Sequence, residues 1–183
     1  MTAPTSDANA DLRDRIRTIP DFPKPGIQFR DITTLLLDGA AFAATIDRMA
    51  DQVEGKVDLV AVLEARGFLF GAALAVKLGV GVLLVRKDGK LPGATIAEDY
   101  ALEYGSDRIA IHADACVPGA KILLVDDLIA TGGTARAAVR LLRKTGADVN
   151  QAVFVIDLPE LGGADALRGD GVAVSALIDY EGH

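Results

Sequence analysis

Two adjacent acids followed by a glycine-rich turn form the segment of this sequence with the clearest chemical meaning. The apolar run at 122–125 ends at Asp126 and Asp127, and Thr131-Gly132-Gly133-Thr134 comes shortly after. Glycine permits positive φ and has no Cβ, so successive backbone N–H groups can approach an anion closely. A helix beginning near Gly133 would add the positive end of its dipole. The segment therefore predicts an anion site.

The acids and the amides of residues 126–134 suit different parts of one ligand. Carboxylates repel phosphate but accept hydrogen bonds from vicinal sugar hydroxyls, which predicts that Asp126 and Asp127 bind a sugar. Four or five hydrogen bonds to a charged phosphate, each about 1.5–3 kcal/mol, outweigh a dipole contribution of about 0.3–1 kcal/mol. The residues predicted to bind the phosphate group are Ala130, Thr131, Gly132, Gly133 and Thr134. The alternative is a strand-to-helix turn without a ligand.

Familiar nucleotide-binding loops do not fit these residues. The segment lacks the Gly-Lys-Ser/Thr of a Walker loop and the Gly-x-Gly-x-x-Gly of a dinucleotide fingerprint. A sugar phosphate therefore remains the favoured ligand class.

Alternating apolar strands and helices predict the fold that positions this loop. The predicted strands are 57–63, 80–85, 121–125, 151–156 and 172–178. The predicted helices are 11–18, 41–55, 68–78, the segment from 133 to Gly146, and 164–168. This alternation predicts an α/β fold with a mainly parallel twisted sheet, helices on both faces, and ligands at the carboxyl ends of the strands.

Length, charge and composition exclude several classes of protein. With 183 residues, 50% of them hydrophobic, we expect one domain, 1–183, whose first ten residues form a flexible tail. A formal charge of -7 argues against nucleic-acid binding. No apolar run approaches the roughly 20 residues of a membrane span, and no signal pattern is present. The single Cys116 cannot form an intrachain disulfide, so we expect a cytoplasmic protein without a membrane partner.

The apolar residues, acid pair and small-residue loop at 122–134 resemble the signature of the type I phosphoribosyltransferases. The resemblance implies their fold, with a small N-terminal hood at 20–35 and a flexible lid loop at 86–105. It also implies that residues 126–134 bind the ribose and 5-phosphate of phosphoribosyl pyrophosphate.

Three further segments resemble the adenine-specific branch of that family: 21–32 (DFPKPGIQFRDI), 64–71 (EARGFLFG), and 86–93 (RKDGKLPG) with 100–105 (YALEYG). The resemblance covers about residues 15–180. It implies that Phe29 stacks on the purine, that Arg30 lies beside the base, and that backbone groups near Gln28 read the adenine edge. Alternatively, Phe29 is a core residue and Arg30 a surface ion-pair partner.

By the same resemblance, catalysis depends on the second and third segments. Arg66 would bind the pyrophosphate group, next to a cis peptide between Glu64 and Ala65; alternatively, it is a solvated charge. Lys87 and Lys90 would approach the pyrophosphate when the lid closes. Glu103 would reach the purine near N7 or N9 and help move its proton, or it is a solvated residue on a hairpin strand.

The resemblance implies the reaction adenine plus phosphoribosyl pyrophosphate to AMP plus pyrophosphate, with Mg²⁺ carried mainly by the substrate and no direct protein ligand to the metal. Because the nearly all-apolar helix 68–78 exceeds what one sheet face can bury, we also expect a homodimer. Two alternatives remain open. One is a transferase for another base, such as hypoxanthine or xanthine; the other is a non-catalytic regulator that senses phosphoribosyl pyrophosphate.

Overall fold

A seven-stranded sheet organises the chain in the computed structural model, which describes residues 8–102 and 105–182. The strand order is β5-β6-β4-β3-β7-β8-β9, and the five strands from β4 to β9 along this order are parallel. The strands are β3 (Leu59–Leu63), β4 (Gly81–Lys87), β5 (Thr95–Leu102), β6 (Gly105–His112), β7 (Lys121–Ile129), β8 (Asp148–Asp157) and β9 (Ala173–Asp179). A separate antiparallel hairpin pairs β1 (Arg17–Pro20) with β2 (Gln28–Asp31).

Helices cover both faces of this sheet. They are α1 (Ala10–Arg13), α2 (Thr33–Leu37), α3 (Gly39–Asp51), α4 (Gly67–Leu78), α5 (Gly133–Lys144) and α6 (Gly163–Gly169), with a 3-10 turn at Pro159–Leu161. In β3, Val60 and Val62 pack with α3 and α4, whereas Ala61 and Leu63 pack with α5. Because both faces of the strand are buried, its sequence is apolar without interruption.

The structure confirms the predicted sheet and its five main strands, with different ends. Strand β7 continues through Asp126 and Asp127 to Ile129, so the acids lie inside the strand rather than after it. The reason is continued pairing with β8, in which Ile129 lies opposite Asp157. Backbone hydrogen bonds thus hold the acid pair at a fixed position.

Two predicted segments differ more clearly. The helix predicted for 11–18 ends at Arg13, and Thr18 lies in β1, because that strand pairs with β2 and ends at Pro20. The predicted lid at 86–105 includes strand β5, which pairs with β6 along its length at the edge of the sheet. Its irregular part is residues 88–94. Among the described residues, no helix is long and apolar enough to cross a membrane.

Candidate active site

Several of the predicted site residues lie at one edge of the sheet. The carboxyl ends of β3, β4 and β7 lie side by side, and α4 and α5 begin there. Arg66 immediately precedes α4, Lys87 is the last residue of β4, and Gly132 immediately precedes α5. This is the edge at which α/β sheets bind ligands.

Residues 130–134, here called the glycine loop, lead from the end of β7 into the first turn of α5. Gly132 has a φ of 76° and stands at the N-cap, where it has no side chain to accept a hydrogen bond from the helix. The first N–H groups of an α-helix have no partner within the helix, so those of α5 are available to an anion. The structure thus gives Gly132, Gly133 and Thr134 the arrangement that their sequence predicts.

Gly163 supports this loop from the start of α6, a contact that the sequence analysis missed. Its N–H donates to the Ala130 carbonyl at 3.0 Å. A Cβ at Gly163 would lie 2.2 Å from that oxygen and 2.5 Å from the nitrogen of Gly132. Since no side chain fits there, Gly163 must be glycine for the loop to keep this position. The sequence signal was the Gly162-Gly163 pair, which by itself indicates only a turn.

Asp127 of the acid pair is buried and forms an ion pair with Arg66. Asp127 is 4% exposed, and its Oδ2 lies 2.9 Å from Nε of Arg66. The two groups are not aligned for a hydrogen bond, so Oδ2 has no hydrogen-bond partner among the described residues.

Burial raises the pKa of both acids above the usual range. For Asp126 the charge of Asp127 raises the pKa further, while for Asp127 the guanidinium of Arg66 opposes the increase. The Asp127 backbone N–H also donates to Asp126 Oδ1 at 2.8 Å. The pair therefore has a higher proton affinity than two surface aspartates, and Arg66 favours its ionised form.

Arg66 connects the acid pair with the hood. Its guanidinium carbon lies 5.3 Å from the centroid of the Phe29 ring, while its Nε faces Asp127. The peptide bond between Glu64 and Ala65 is cis, as the resemblance implied. Arg66 is therefore ion-paired with Asp127 although its side chain is 42% exposed, and its predicted role at the pyrophosphate stays a prediction.

The hood places its aromatic residue beside this arginine. Phe29 contacts Phe22 edge to face, with ring centroids 5.2 Å apart, and it belongs to neither buried core cluster among the described residues. Gln28 begins β2 opposite Pro20. The side chain of Arg30 instead reaches the end of the chain, where it donates to the Glu181 carbonyl at 3.1 Å.

The predicted cations Lys87 and Lys90 lie at and after the end of β4. Lys87 is 3.2 Å from Asp107 Oδ2, and this carboxylate raises the lysine pKa. A cavity of ≈ 270 Å³ is lined by Lys87, by Tyr100 and by Thr134 at the start of α5. Lys90 is exposed in the loop after β4. The cavity therefore lies between a cation and the glycine loop.

Arg86 holds the Glu64 carboxylate and the Lys90 backbone in place, a role that was not predicted from the sequence. It forms two hydrogen bonds with the Glu64 carboxylate, at 3.1 and 3.2 Å, and donates to the Lys90 carbonyl at 3.1 Å. Arg86 also lowers the pKa of Glu64, which stays ionised as the acceptor for the Lys87 backbone N–H.

Glu103 lies outside the described residues, so its predicted role stays a prediction.

The fold and loop define a class of protein with known members. The family described as Phosphoribosyl transferase domain matches residues 29–170, a range that runs from the hood past the glycine loop to the end of α6. The class is therefore the phosphoribosyltransferases, as the resemblance of the acid pair and loop predicted.

Individual relatives narrow this class. The adenine phosphoribosyltransferase of Maricaulis maris (strain MCS10) is 59% identical over 173 residues, covering 94% of this chain and 99% of that protein. The enzyme of that name from Thermoanaerobacter pseudethanolicus has a structure with a TM-score of 0.90 and 48% identity, covering 93% of this chain and 99% of the other. The chain belongs to the adenine phosphoribosyltransferase family.

A further similar structure contains a base. The adenine phosphoribosyltransferase of Saccharomyces cerevisiae, complexed with an imino-altritol bisphosphate and adenine, has a TM-score of 0.88 and 38% identity. The similarity covers 92% of this chain and 97% of the yeast chain. The similarity therefore includes a family member that binds the predicted base together with a bisphosphate.

Proposed function

We propose that this chain transfers the 5-phosphoribosyl group of phosphoribosyl pyrophosphate to adenine, which yields AMP and pyrophosphate. In this reaction adenine N9 bonds to C1′ of the ribose, and the C1′–O bond breaks with its electron pair leaving on pyrophosphate. The adenine N9 proton is lost. The observation that carries the proposal is the position of Arg66, which contacts both the buried Asp127 and the Phe29 ring.

The sugar-phosphate half of the substrate suits residues 126–134. Asp126 and Asp127 would accept hydrogen bonds from the ribose hydroxyls, and Oδ2 of Asp127, which is ion-paired with Arg66, has no hydrogen-bond donor among the described residues. Ala130, Thr131, Gly132, Gly133 and Thr134 would bind the 5-phosphate through backbone N–H groups and two hydroxyls. Since the loop leads into a helix, its backbone is fixed before the ligand arrives, and little ordering entropy is lost on binding.

Adenine would stack on Phe29, with backbone groups near Gln28 reading its edge. Base stacking on an aromatic ring is worth about 1–3 kcal/mol and does not depend on which purine is bound. Specificity must therefore come from hydrogen bonds. A base that leaves a buried donor or acceptor unpaired loses about 1–3 kcal/mol, which corresponds to roughly ten- to a hundredfold against hypoxanthine.

Arg66, Lys87 and Lys90 would neutralise the leaving pyrophosphate, with Arg66 and Glu103 as the catalytic residues. Lys87 would exchange Asp107 for a pyrophosphate oxygen, since the two compete for the same ammonium. This is the step at which negative charge develops, so stabilisation there accelerates the reaction.

Mg²⁺ is proposed to enter with the substrate. Within the described ranges no group of three or more His, Cys, Asp or Glu side chains could hold a metal ion, and a cation bound to substrate oxygens needs no such group. When bound, Mg²⁺ would supply positive charge to the leaving group.

We propose that Glu103 reaches the purine near N7 or N9 when the lid closes and takes part in moving the N9 proton. Glu103→Leu should therefore lower kcat by about a hundredfold, because general acid–base groups contribute about 10²–10⁴-fold. Glu160→Leu, on an exposed turn, is the matched control. A Glu103→Leu enzyme with wild-type kcat would remove the proton role.

A homodimer is proposed through α4 and β4. Leu69 and Val76 of α4 are exposed, as are Val82 and Leu84 of β4, which lie in register with the α4-facing residues of β3. Val76 is 83% exposed, which is unfavourable for such a side chain unless another surface covers it. Val76→Asp should give a monomer by analytical ultracentrifugation, whereas Val117→Asp, at another exposed valine, should leave the dimer intact. A monomeric wild type would contradict the proposal.

We place this activity in the cytoplasm, because Cys116 is the one cysteine of the chain and is suited to a reducing compartment. Fractionation of cells that express the chain, followed by immunoblotting, tests this location. Recovery in a membrane or secreted fraction would contradict it.

The central test is AMP formation by the purified protein from adenine and phosphoribosyl pyrophosphate, with and without Mg²⁺. We expect equimolar AMP and pyrophosphate with Mg²⁺ and a much lower rate after chelation. Turnover of hypoxanthine or xanthine but not adenine would favour a transferase for another base. Tight binding of phosphoribosyl pyrophosphate without turnover of any base would favour a regulator.

A further inference from the structure

We infer that Tyr180 is a positioning residue for the base site, because it holds Arg30, and through Arg30 the β2 strand with Phe29, against the body of the domain. The inference rests on the proposed role of Phe29 as the surface on which adenine stacks. Tyr180 and Arg30 are 150 residues apart in the sequence, yet the guanidinium carbon of Arg30 lies 4.3 Å from the centroid of the tyrosine ring.

The β1–β2 hairpin needs attachment to the rest of the molecule. It forms its own two-stranded sheet, which shares no strand pairing with the seven-stranded sheet among the described residues. Two-stranded hairpins in water are marginally stable by themselves. The position of Phe29 therefore depends on side-chain contacts between the hairpin and the domain.

Arg30 provides contacts of this kind from the residue next to Phe29. Its guanidinium donates to the Thr18 hydroxyl at 2.7 Å, within the hairpin, and to the Glu181 carbonyl at 3.1 Å, outside it. Its Nε is buried and has no hydrogen-bond partner in the described part of the chain. The aromatic ring is thus the favourable neighbour for the guanidinium plane, since arginine stacks on aromatic faces.

Tyr180 is itself fixed to the main sheet. Its backbone N–H donates to the carbonyl of Asp157, the last residue of β8, at 3.0 Å. Its hydroxyl donates to the Arg13 carbonyl at 3.4 Å, and the guanidinium of Arg13 lies 5.0 Å from its ring centroid. Arg13 in turn donates to the carbonyl of Asp179 at 2.6 Å. The ring therefore links α1, the end of β9 and the hairpin.

This link predicts an effect on one substrate and not on the other. Without the ring, Arg30 loses its stacking surface and β2 can shift, which moves Phe29 relative to Arg66 and the acid pair. The glycine loop is anchored by β7, β8 and α6 and does not depend on the hairpin. Loss of Tyr180 should therefore weaken the use of adenine while leaving the use of phosphoribosyl pyrophosphate unchanged.

The test compares KM for both substrates in four variants of the full chain. Tyr180→Leu should raise KM for adenine by about three- to tenfold and change KM for phosphoribosyl pyrophosphate by less than about twofold. Tyr180→Phe keeps the ring and should behave like wild type. Arg30→Lys keeps the charge but loses the planar stacking group, so it should resemble Tyr180→Leu. Arg48→Lys is the matched control, because Arg48 attaches α1 to α3 without contacting the hairpin.

The outcomes separate positioning from a general structural role. Equal changes in both KM values, or an unchanged KM for adenine in Tyr180→Leu, would overturn the inference. If Tyr180→Leu does not fold, Tyr180→Met, which also removes the aromatic ring, decides the question by the same split between the two KM values. Failure of the wild type to make AMP would reject the proposed function, whereas an active wild type with no adenine effect in the variants would reject this inference alone.

Discussion

The glycine loop and the hood differ in how the chain builds them. The glycine loop connects β7 and α5, which together span residues 121–144, and β7 has a paired strand on each side. Leu123, Leu124 and Val125 of β7 are fully buried. The predicted hood, residues 20–35, includes β2 of the separate β1–β2 hairpin, and its Phe22 is 51% exposed. The part proposed to bind the sugar phosphate thus belongs to the main sheet, and the part proposed to select the base is a separate hairpin.

Under the proposed function, this difference assigns affinity for the sugar phosphate and specificity for the base to two structural elements. A phosphate needs several N–H groups at fixed positions, which a strand and a helix end provide. A base needs a ring to stack on and a few hydrogen bonds, which a small hairpin can provide. The hairpin can therefore change without disturbing the loop. Changes in the loop should affect all substrates, and changes in the hood should affect the base.

Asp127→Asn should have the largest effect, because it removes a charged acceptor from the ribose. We expect kcat/KM to fall by about a hundredfold or more, given about 1.5–3 kcal/mol for each hydrogen bond to a charged group. Unfolding should change little, since Arg66 is partly exposed and can be solvated. Steady-state kinetics and thermal melting measure the two effects. Asp165→Asn, at an exposed ion pair, is the control; equal loss of activity and stability in Asp127→Asn would contradict the assigned role.

Gly163→Ala tests whether α6 holds the glycine loop in place. The added Cβ would overlap the Ala130 carbonyl, so the loop must shift. Misplacement by about 1 Å can lower activity about a hundredfold, and we expect a loss of about ten- to a hundredfold in kcat/KM for phosphoribosyl pyrophosphate. At Gly169 an added Cβ meets nothing within 4 Å, so Gly169→Ala should keep wild-type kinetics. Wild-type kinetics in both variants would show that the contact has no functional role.

Phe29→Leu tests the hood, where we expect an effect on adenine rather than on phosphoribosyl pyrophosphate. We expect KM for adenine to rise by about tenfold, because aromatic stacking contributes about 1–3 kcal/mol, while KM for phosphoribosyl pyrophosphate stays the same. Phe22→Leu should have a smaller effect, since Phe22 contacts Phe29 edge to face. A comparable change in both KM values for Phe29→Leu would mean that the hood and loop are not separable.

Asp157→Asn should have the smallest effect and should act on stability. Asp157 is buried at the end of β8, its Oδ1 has no hydrogen-bond partner among the described residues, and burial and then the charge of Asp179 raise its pKa. Because the pKa of Asp157 is raised in the folded state, the folded protein binds this proton more tightly than the unfolded chain does. The stabilisation that comes from binding the proton is lost as pH rises through the folded-state pKa. We expect Tm at pH 7.5 to rise by about 2–4 °C in the variant, with a smaller difference at acidic pH. A larger gain at acidic pH would contradict this assignment.

The parts of the site that are local in the sequence were the ones that could be predicted. The pattern at 122–134 predicted the buried strand, the acids and the helix start, because these depend on neighbouring residues. The helix predicted for 11–18 was wrong at its end, because pairing of Thr18 with Arg30 outweighs local propensity. The extension of β7 past Asp127 likewise depends on β8.

Contacts between distant segments could not be predicted. Nothing near Arg30 in the sequence indicates Tyr180, and the Gly162-Gly163 pair does not indicate Ala130. Arg66 was expected at the pyrophosphate by resemblance, whereas its contacts with Asp127 and Phe29 required the packing of α4 against β7. These contacts need the three-dimensional positions of several elements at once.

The most direct test is a competition between bases in one reaction. Equal concentrations of adenine and hypoxanthine are incubated with the protein, Mg²⁺ and phosphoribosyl pyrophosphate, and AMP and IMP are quantified at early times. We expect AMP to exceed IMP by at least about tenfold, as one mispaired buried group requires. Equal amounts of the two products, or an excess of IMP, would contradict the proposal that the hood selects adenine.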